Sequence, residues 1–158
     1  MAVWGARLER DGQYHTSLRR VFAALEGRQI GLDFLLLGVE AYPLEHEEFE
    51  AVNQTPRWIS GAELTRMVET EDFQWVWGAL LAYPAGGGRA EILERVRALC
   101  PPGPHDEESW SARRQFEQTG AAFLILAADS SLTELVSADR GLIDLFCAHE
   151  PRAAVTKE

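Results

Sequence analysis

The chain is poor in cysteine, in histidine and in positive charge, and each shortage removes a class of function. Its two cysteines, Cys100 and Cys147, lie far apart, with neither the number a disulfide framework needs nor the paired spacing of a zinc site. Two buried free thiols in a reducing cytoplasm are the expectation, with a single Cys100–Cys147 bridge as the alternative. The four histidines, His15, His46, His105 and His149, stand singly, with no His-Glu-x-x-His pair. Fifteen Lys and Arg oppose 25 Asp and Glu, for a formal net charge of −10. A nucleic-acid binder or a protein that docks on anionic lipid needs a cationic footprint, so neither partner is expected. The apolar runs, such as Phe34 to Val39, are too short to span a bilayer. Met1 to Arg10 carries Arg7, Glu9 and Arg10 and lacks the apolar stretch of a secretory signal. These points lead us to expect a cytoplasmic location and no membrane partner. There is no internal repeat and no long low-complexity run.

What is present fits one domain of 158 residues, with 46% apolar and 25% charged residues, enough to build a core without staples. Val3, Trp4 and Leu8 suggest a short strand and Asp11-Gly12 a turn. Thr16 is placed to cap a helix whose Leu18, Val21, Phe22 and Leu25 share one face, with Gly27 as its stop. Leu32 to Tyr42 reads as a central strand because Phe34 to Leu37 is apolar on both faces. Ser60 and Glu63 have capping-box spacing, with Ile59 and Leu64 as a hydrophobic staple, for a helix to about Thr70. Asp72 to Tyr83 reads as a strand with Phe73, Trp75 and Trp77 alternating onto one face. Gly86-Gly87-Gly88 is a flexible connection. A helix then runs to Leu99, before Pro101-Pro102-Gly103-Pro104. Residues 105 to 119 read as a loop with a short strand near Phe116. Ala121 to Ala128 is a buried strand, Asp129-Ser130-Ser131 a turn, and Thr133 to Val136 its hairpin partner. Asp139 caps a last helix with Leu142, Leu145 and Phe146 inward, and residues 151–158 form a frayed tail. The expected architecture is a single α+β domain over residues 1–150. It has four or five strands in a mixed or mostly antiparallel sheet and about four helices on one side. A small α/β sheet is the alternative.

No catalytic, metal or cofactor motif stands out. His105-Asp106-Glu107-Glu108 could hold a divalent ion but reads more simply as a solvated charge run. Ser130 lacks the Gly-x-Ser-x-Gly elbow and is expected as a turn serine. Gly86-Gly87-Gly88-Arg89 lacks the Lys-Ser/Thr of a phosphate loop and is expected as a hinge. Cys100 has no neighbouring histidine to activate it. Glu63 is accounted for by capping, and the Phe73/Trp75/Trp77 stripe by core packing.

Charge is unevenly spread. Between Glu40 and Asp72 the acids are Glu40, Glu45, Glu47, Glu48, Glu50, Glu63, Glu69, Glu71 and Asp72, and the bases are Arg57 and Arg66, a local net of −7. If Glu45 to Glu50 and Glu69 to Asp72 meet in space, they form an acidic face that steers a basic protein partner. Candidate contacts are Glu45, Glu47, Glu48, Glu50, Glu71 and Asp72, with Tyr42 or Phe49 as aromatic anchor.

Three motifs in order, Trp58-Ile59-Ser60-Gly61 with Glu63-Leu64, Gln74-Trp75-Val76-Trp77-Gly78, and Asp129-Ser130-Ser131-Leu132-Thr133 leading to Ser137 and Asp139, cover Leu32 to His149. Their pattern loosely resembles a group of small, mostly uncharacterised bacterial proteins, some of them immunity proteins that neutralise toxins. The resemblance implies a non-enzymatic protein that binds a basic toxin domain. A toxin that attacks nucleic acid must itself be basic, so an acidic inhibitor mimics its substrate's charge. Two other readings remain open. One is a small enzyme or ligand-binding protein with a pocket walled by Trp58, Trp75 and Trp77. The other is a structural or adaptor subunit pairing an apolar strand with a second copy in a homodimer.

Overall fold

The structure is a computed structural model that describes residues 1–9, 16–53 and 55–157; the expected turn at Asp11-Gly12 lies outside the described residues. The elements run β1 (Trp4–Glu9), α1 (Leu18–Ala24), β2 (Leu32–Tyr42), β3 (Val52–Asn53), β4 (Arg57–Ser60), α2 (Gly61–Thr70), β5 (Gln74–Pro84), α3 (Arg89–Leu99), α4 (His105–Arg114), α5 (Phe116–Thr119), β6 (Phe123–Ala128), β7 (Leu132–Ser137), α6 (Arg140–His149) and β8 (Ala154–Lys157). The class is α+β. The expected four or five strands and four helices are corrected to eight strands and six helices among the described residues. All the strand pairs are antiparallel.

The strands form one sheet in the order β3-β2-β5-β6-β7-β1-β8, with β4 also on β2. β3 pairs with Val39 and Glu40 and β4 with Asp33 to Leu36. They therefore lie end to end along the outer edge of β2, and the sheet is seven strands wide. β6 and β7 form the expected hairpin. Its connection is the three residues Asp129, Ser130 and Ser131, of which Asp129 and Ser130 have positive φ (51° and 61°), the left-handed backbone on which short hairpin connections rely.

The second correction concerns the layers. The apolar runs of β2 and β6 are buried on both sides, so each sheet face needs a cover. On one face α1, α2 and α6 bring Phe22, Leu64 and Phe146 onto Phe34, Leu36, Trp75 and Phe123. On the other, α3, α4 and α5 bring Val96, Ala112 and Phe116 onto Leu35, Leu37, Leu81 and Leu124. Each fully buried Leu or Phe contributes roughly 1.5–3 kcal/mol. The thiols of Cys100 and Cys147 are free and belong to opposite layers.

The third correction is the segment 105–119, which forms two helices, α4 over His105–Arg114 and α5 over Phe116–Thr119. Hydrophobic periodicity missed α4 because its inward positions are mostly polar: Glu108, Ser109, Ala112 and Arg113 are its buried residues. The charge signal was present, with Asp106, Glu107 and Glu108 in the first turn and Arg113 and Arg114 in the last, a match to the helix dipole. The buried polar groups find partners along the sheet. Arg113 lies 3.2 Å from Glu134 of β7, which is fully buried, and Ser109 donates to the His105 carbonyl at 2.8 Å.

The C-terminal segment also departs from expectation, since β8 pairs with β1 from Trp4 to Arg7 where a frayed tail was expected. Ser17, not Thr16, caps α1 by accepting from the Arg20 amide at 3.2 Å. Ser60 and Asp139 cap α2 and α6 as their spacing predicts, accepting from Glu63 and Gly141.

α4 seats on the sheet at Gly38, whose φ is +55°. A Cβ there would lie 2.6 Å from the His105 carbonyl oxygen, so both the backbone angle and the helix exclude a side chain. Gly38→Ala is expected to cost about 1–2 kcal/mol for the left-handed backbone and about 1–3 kcal/mol for overpacking. Urea unfolding would read this loss, and a midpoint equal to wild type would refute the seating argument.

Candidate functional site

The site is built on the turn between β2 and β3. Pro43 ends the β2 pairing, and the chain loops out over residues 43–51 before Val52 returns to the same strand. Two contacts fix this loop. Phe49 is buried and packs against Phe73 and Trp75 with ring centroids 5.8 and 5.7 Å apart, while the Arg57 guanidinium sits 4.9 Å from its ring centroid. Glu71, just past α2, accepts from the amides of Leu44 at 2.7 Å and Glu45 at 2.9 Å. The Leu44 hydrogen bond, with help from Glu45 and His46, holds the Glu71 carboxyl below the usual glutamate range.

These contacts sort the expected partner-binding residues. Glu71 does join the 45–50 segment, but as the clasp of the loop. Asp72 accepts from the Ser17 hydroxyl at 2.6 Å and the Arg19 amide at 3.4 Å, which ties it to the start of α1. Phe49 cannot anchor a partner, because it anchors the loop to the core. Tyr42 is 46% exposed and donates to Glu40 at 2.6 Å. Glu45, Glu47, Glu48 and Glu50 are exposed. His46 lies 3.6 Å from Glu48, and among the described residues no cation pairs with Glu45, Glu47 or Glu50.

Sequence reasoning missed Leu44, which is 86% exposed, and Val52, which is 48% exposed. Together with Tyr42 they place three large apolar side chains on this one segment. A leucine beside a proline and a glutamate gives no periodic signal, so its exposure was not legible.

The tryptophan-walled pocket does not form. Trp75 is buried under α1 and α2, stacked on Phe73 with centroids 5.2 Å apart. Trp77 lies 6.0 Å from the His105 ring of α4, on the opposite sheet face. The β2–β5 register shifts between Leu37 and Glu40 and again between Glu40 and Ala41. At the second shift Val76 is the extra residue on β5, and an extra residue reverses the alternation beyond it. Trp58 packs against Tyr83 and beneath Arg89.

The remaining motifs are engaged structurally. Ser130 accepts from Gln74 Nε2 at 2.9 Å, and its amide donates to the Val76 carbonyl. Arg89 forks onto Asp33 at 2.8 and 3.2 Å. His105 Nε2 lies 3.0 Å from Glu40, while Glu108 turns inward. Among the described residues, no group of three or more His, Cys, Asp or Glu is placed to hold a metal ion, and no helix is long and apolar enough to cross a membrane.

A lowered folded-state pKa stabilises the clasped loop above the ordinary glutamate value of 4.5 and ceases to do so as the pH falls through the lowered one. Glu71→Ala is therefore expected to speed hydrogen exchange at the Leu44 and Glu45 amides at neutral pH with little effect on β6, and wild type should approach the same rates, corrected for intrinsic exchange, in acid. Unchanged exchange in the variant would show that the loop is held by other means. Comparison of the chain with protein-family models, curated proteins and solved structures returned no match.

Proposed function

We propose that this chain is a non-enzymatic binding protein whose 42–52 segment docks on a basic protein surface, and that the partner is a toxin domain which it neutralises. The observation that supports this reading most is the pairing of exposed apolar side chains with exposed carboxylates on a fixed loop. Tyr42, Leu44 and Val52 supply contact area, and the exposed Glu45, Glu47, Glu48 and Glu50 of the same segment add negative charge. Apolar anchors inside a polar rim are the usual anatomy of an interface. The carboxylates accelerate encounter with a cationic partner and reject an anionic one. Phe49 and Glu71 hold the loop before binding, which lowers the ordering cost of association. The toxin assignment itself comes from the sequence resemblance, together with the charge logic that a nuclease must be basic.

The test uses a partner captured from the source cell and then purified. Glu47→Lys with Glu48→Lys is expected to slow association at low salt by about tenfold or more and to flatten its salt dependence. Leu44→Ala is expected to raise the dissociation rate, on the order of tenfold for a buried anchor worth about 1–2 kcal/mol. Wild-type kinetics in both variants would end the proposal, as would a captured partner that is acidic.

A further inference from the structure

Behind β2, on the face covered by α3 and α4, lies a cavity of about 410 Å³, within the ~300–1,000 Å³ range of small-molecule sites. Leu37, Val96, Cys100 and Pro102 give it apolar walls, and Glu108 and Arg97 also line it. Glu108 is only 2% exposed, and its Oε2 has no hydrogen-bond partner among the described residues. A buried carboxyl oxygen left without a partner is costly and marks a place where a ligand group would be stabilised. Arg97 is exposed and makes no ion pair among the described residues, in a protein with ten more acidic than basic side chains.

We propose that this cavity binds a small amphipathic monocarboxylic acid, aliphatic or aryl, with its body against Leu37, Val96 and Pro102 and its carboxylate held by the Arg97 guanidinium and the Glu108 carboxyl. The inference stands apart from the acidic loop and does not rest on the binding function assigned to it.

The chemistry of the two polar groups selects this ligand class. Burial pushes the Glu108 carboxyl up to about 7, against a smaller opposing effect of the Gly38 amide, so near neutrality it can carry the proton that an anion needs to accept. Burial raises the Cys100 thiol to about 11, with Glu108 adding to the rise and Arg114 opposing it, so the thiol stays neutral. β2 turns Leu37 and Gly38 toward this region, Thr55 and Pro56 close another side, and His105, one turn earlier on α4, is engaged with Glu40 and Trp77. Binding an anion to the protonated form takes up a proton. Affinity therefore falls as the pH rises through about 7, by up to about tenfold per unit above it.

The experiment titrates the full chain with sodium octanoate, 1-octanol and octylamine, following backbone amide shifts by NMR at pH 6 and pH 8.5. Octanoate is expected to saturate shifts centred on Val96, Cys100 and Glu108, at least tenfold more tightly at pH 6 than at pH 8.5. Glu108→Gln, which keeps a neutral hydrogen-bond donor, is expected to bind octanoate with no such pH dependence. Arg97→Gln lies on the surface and should fold normally; it is expected to weaken octanoate severalfold and leave 1-octanol unchanged. The proposal is overturned if octanoate gives no saturable shifts in wild type, if octylamine binds more tightly than octanoate, or if octanoate binds Arg97→Gln as it binds wild type. Should Glu108→Gln fold and keep the wild-type pH profile, the assigned role of Glu108 is likewise overturned.

Discussion

The structure depends on one requirement, that β2, β5 and β6 be kept from water on both faces. An antiparallel sheet often leaves one face solvated, but the runs Phe34 to Leu37 and Phe123 to Ala128 have no polar alternate positions. Helices must therefore close both sides. On the first side this is simple, because α1, α2 and α6 each carry an apolar stripe. On the second side α4 must lie flush against the sheet although its inward residues are mostly polar. Gly38 permits the close approach, and the polar groups are then accommodated one by one. Arg113 meets Glu134, Ser109 bonds back to its own helix, and the Oε2 of Glu108 has no hydrogen-bond partner among the described residues. A buried ion pair such as Arg113 with Glu134 adds little net stability, yet losing one partner costs roughly 3–5 kcal/mol. Polar groups in this layer thus fix how α4 sits more than they strengthen the fold.

The acidic surplus divides in the same way. A local charge of −7 between Glu40 and Asp72 invites the picture of a single negative face. In the folded chain several of these carboxylates already have work within the molecule. Glu40 is engaged by Tyr42 and His105, Glu71 by two amides, and Asp72 by Ser17 and Arg19. Such groups have directed hydrogen bonds that a partner would have to break. Glu45, Glu47 and Glu50 are exposed and make no ion pair among the described residues. A surface for a cationic partner is therefore narrower than the charge count suggests, and it coincides with the exposed Tyr42, Leu44 and Val52.

What was legible in the sequence was local chemistry. Ser60 and Asp139 announced their helices because a cap needs only a hydroxyl or carboxylate and a nearby amide. The Asp129–Ser131 turn and the central character of β2 were equally direct. What was not legible needed partners from elsewhere in the chain. α4 hides behind polar residues whose burial makes sense only beside Glu134 and Gly38. The reversal of Trp77 follows from a bulge that no residue of β5 announces by itself. β8 is ordered only because β1 offers an edge, and a terminal segment carries no sign of its future neighbour. At the candidate site the exposed glutamates could be named in advance, whereas the core position of Phe49 could not. An aromatic residue in an acidic stretch fits an outward anchor as well as an inward one until the stacked Phe73 and Trp75 are seen beneath it.

That inward turn of Phe49 is what makes an exposed loop usable for recognition. A free segment of this length would lose backbone and side-chain entropy on docking, about 0.5–1.5 kcal/mol for each immobilised side chain. Here the aromatic ring and the Glu71 clasp have already restricted the backbone as part of folding, so only the outer side chains remain to be ordered. Stability and recognition then reside in different residues of one short segment. Changes at Glu45, Glu47 or Glu50 alter the field a partner meets while leaving the core intact, and changes at Phe49 or Glu71 disturb the platform that presents them. A loop arranged in this way can change its surface charge without unfolding, because nothing beneath it depends on which acids face outward.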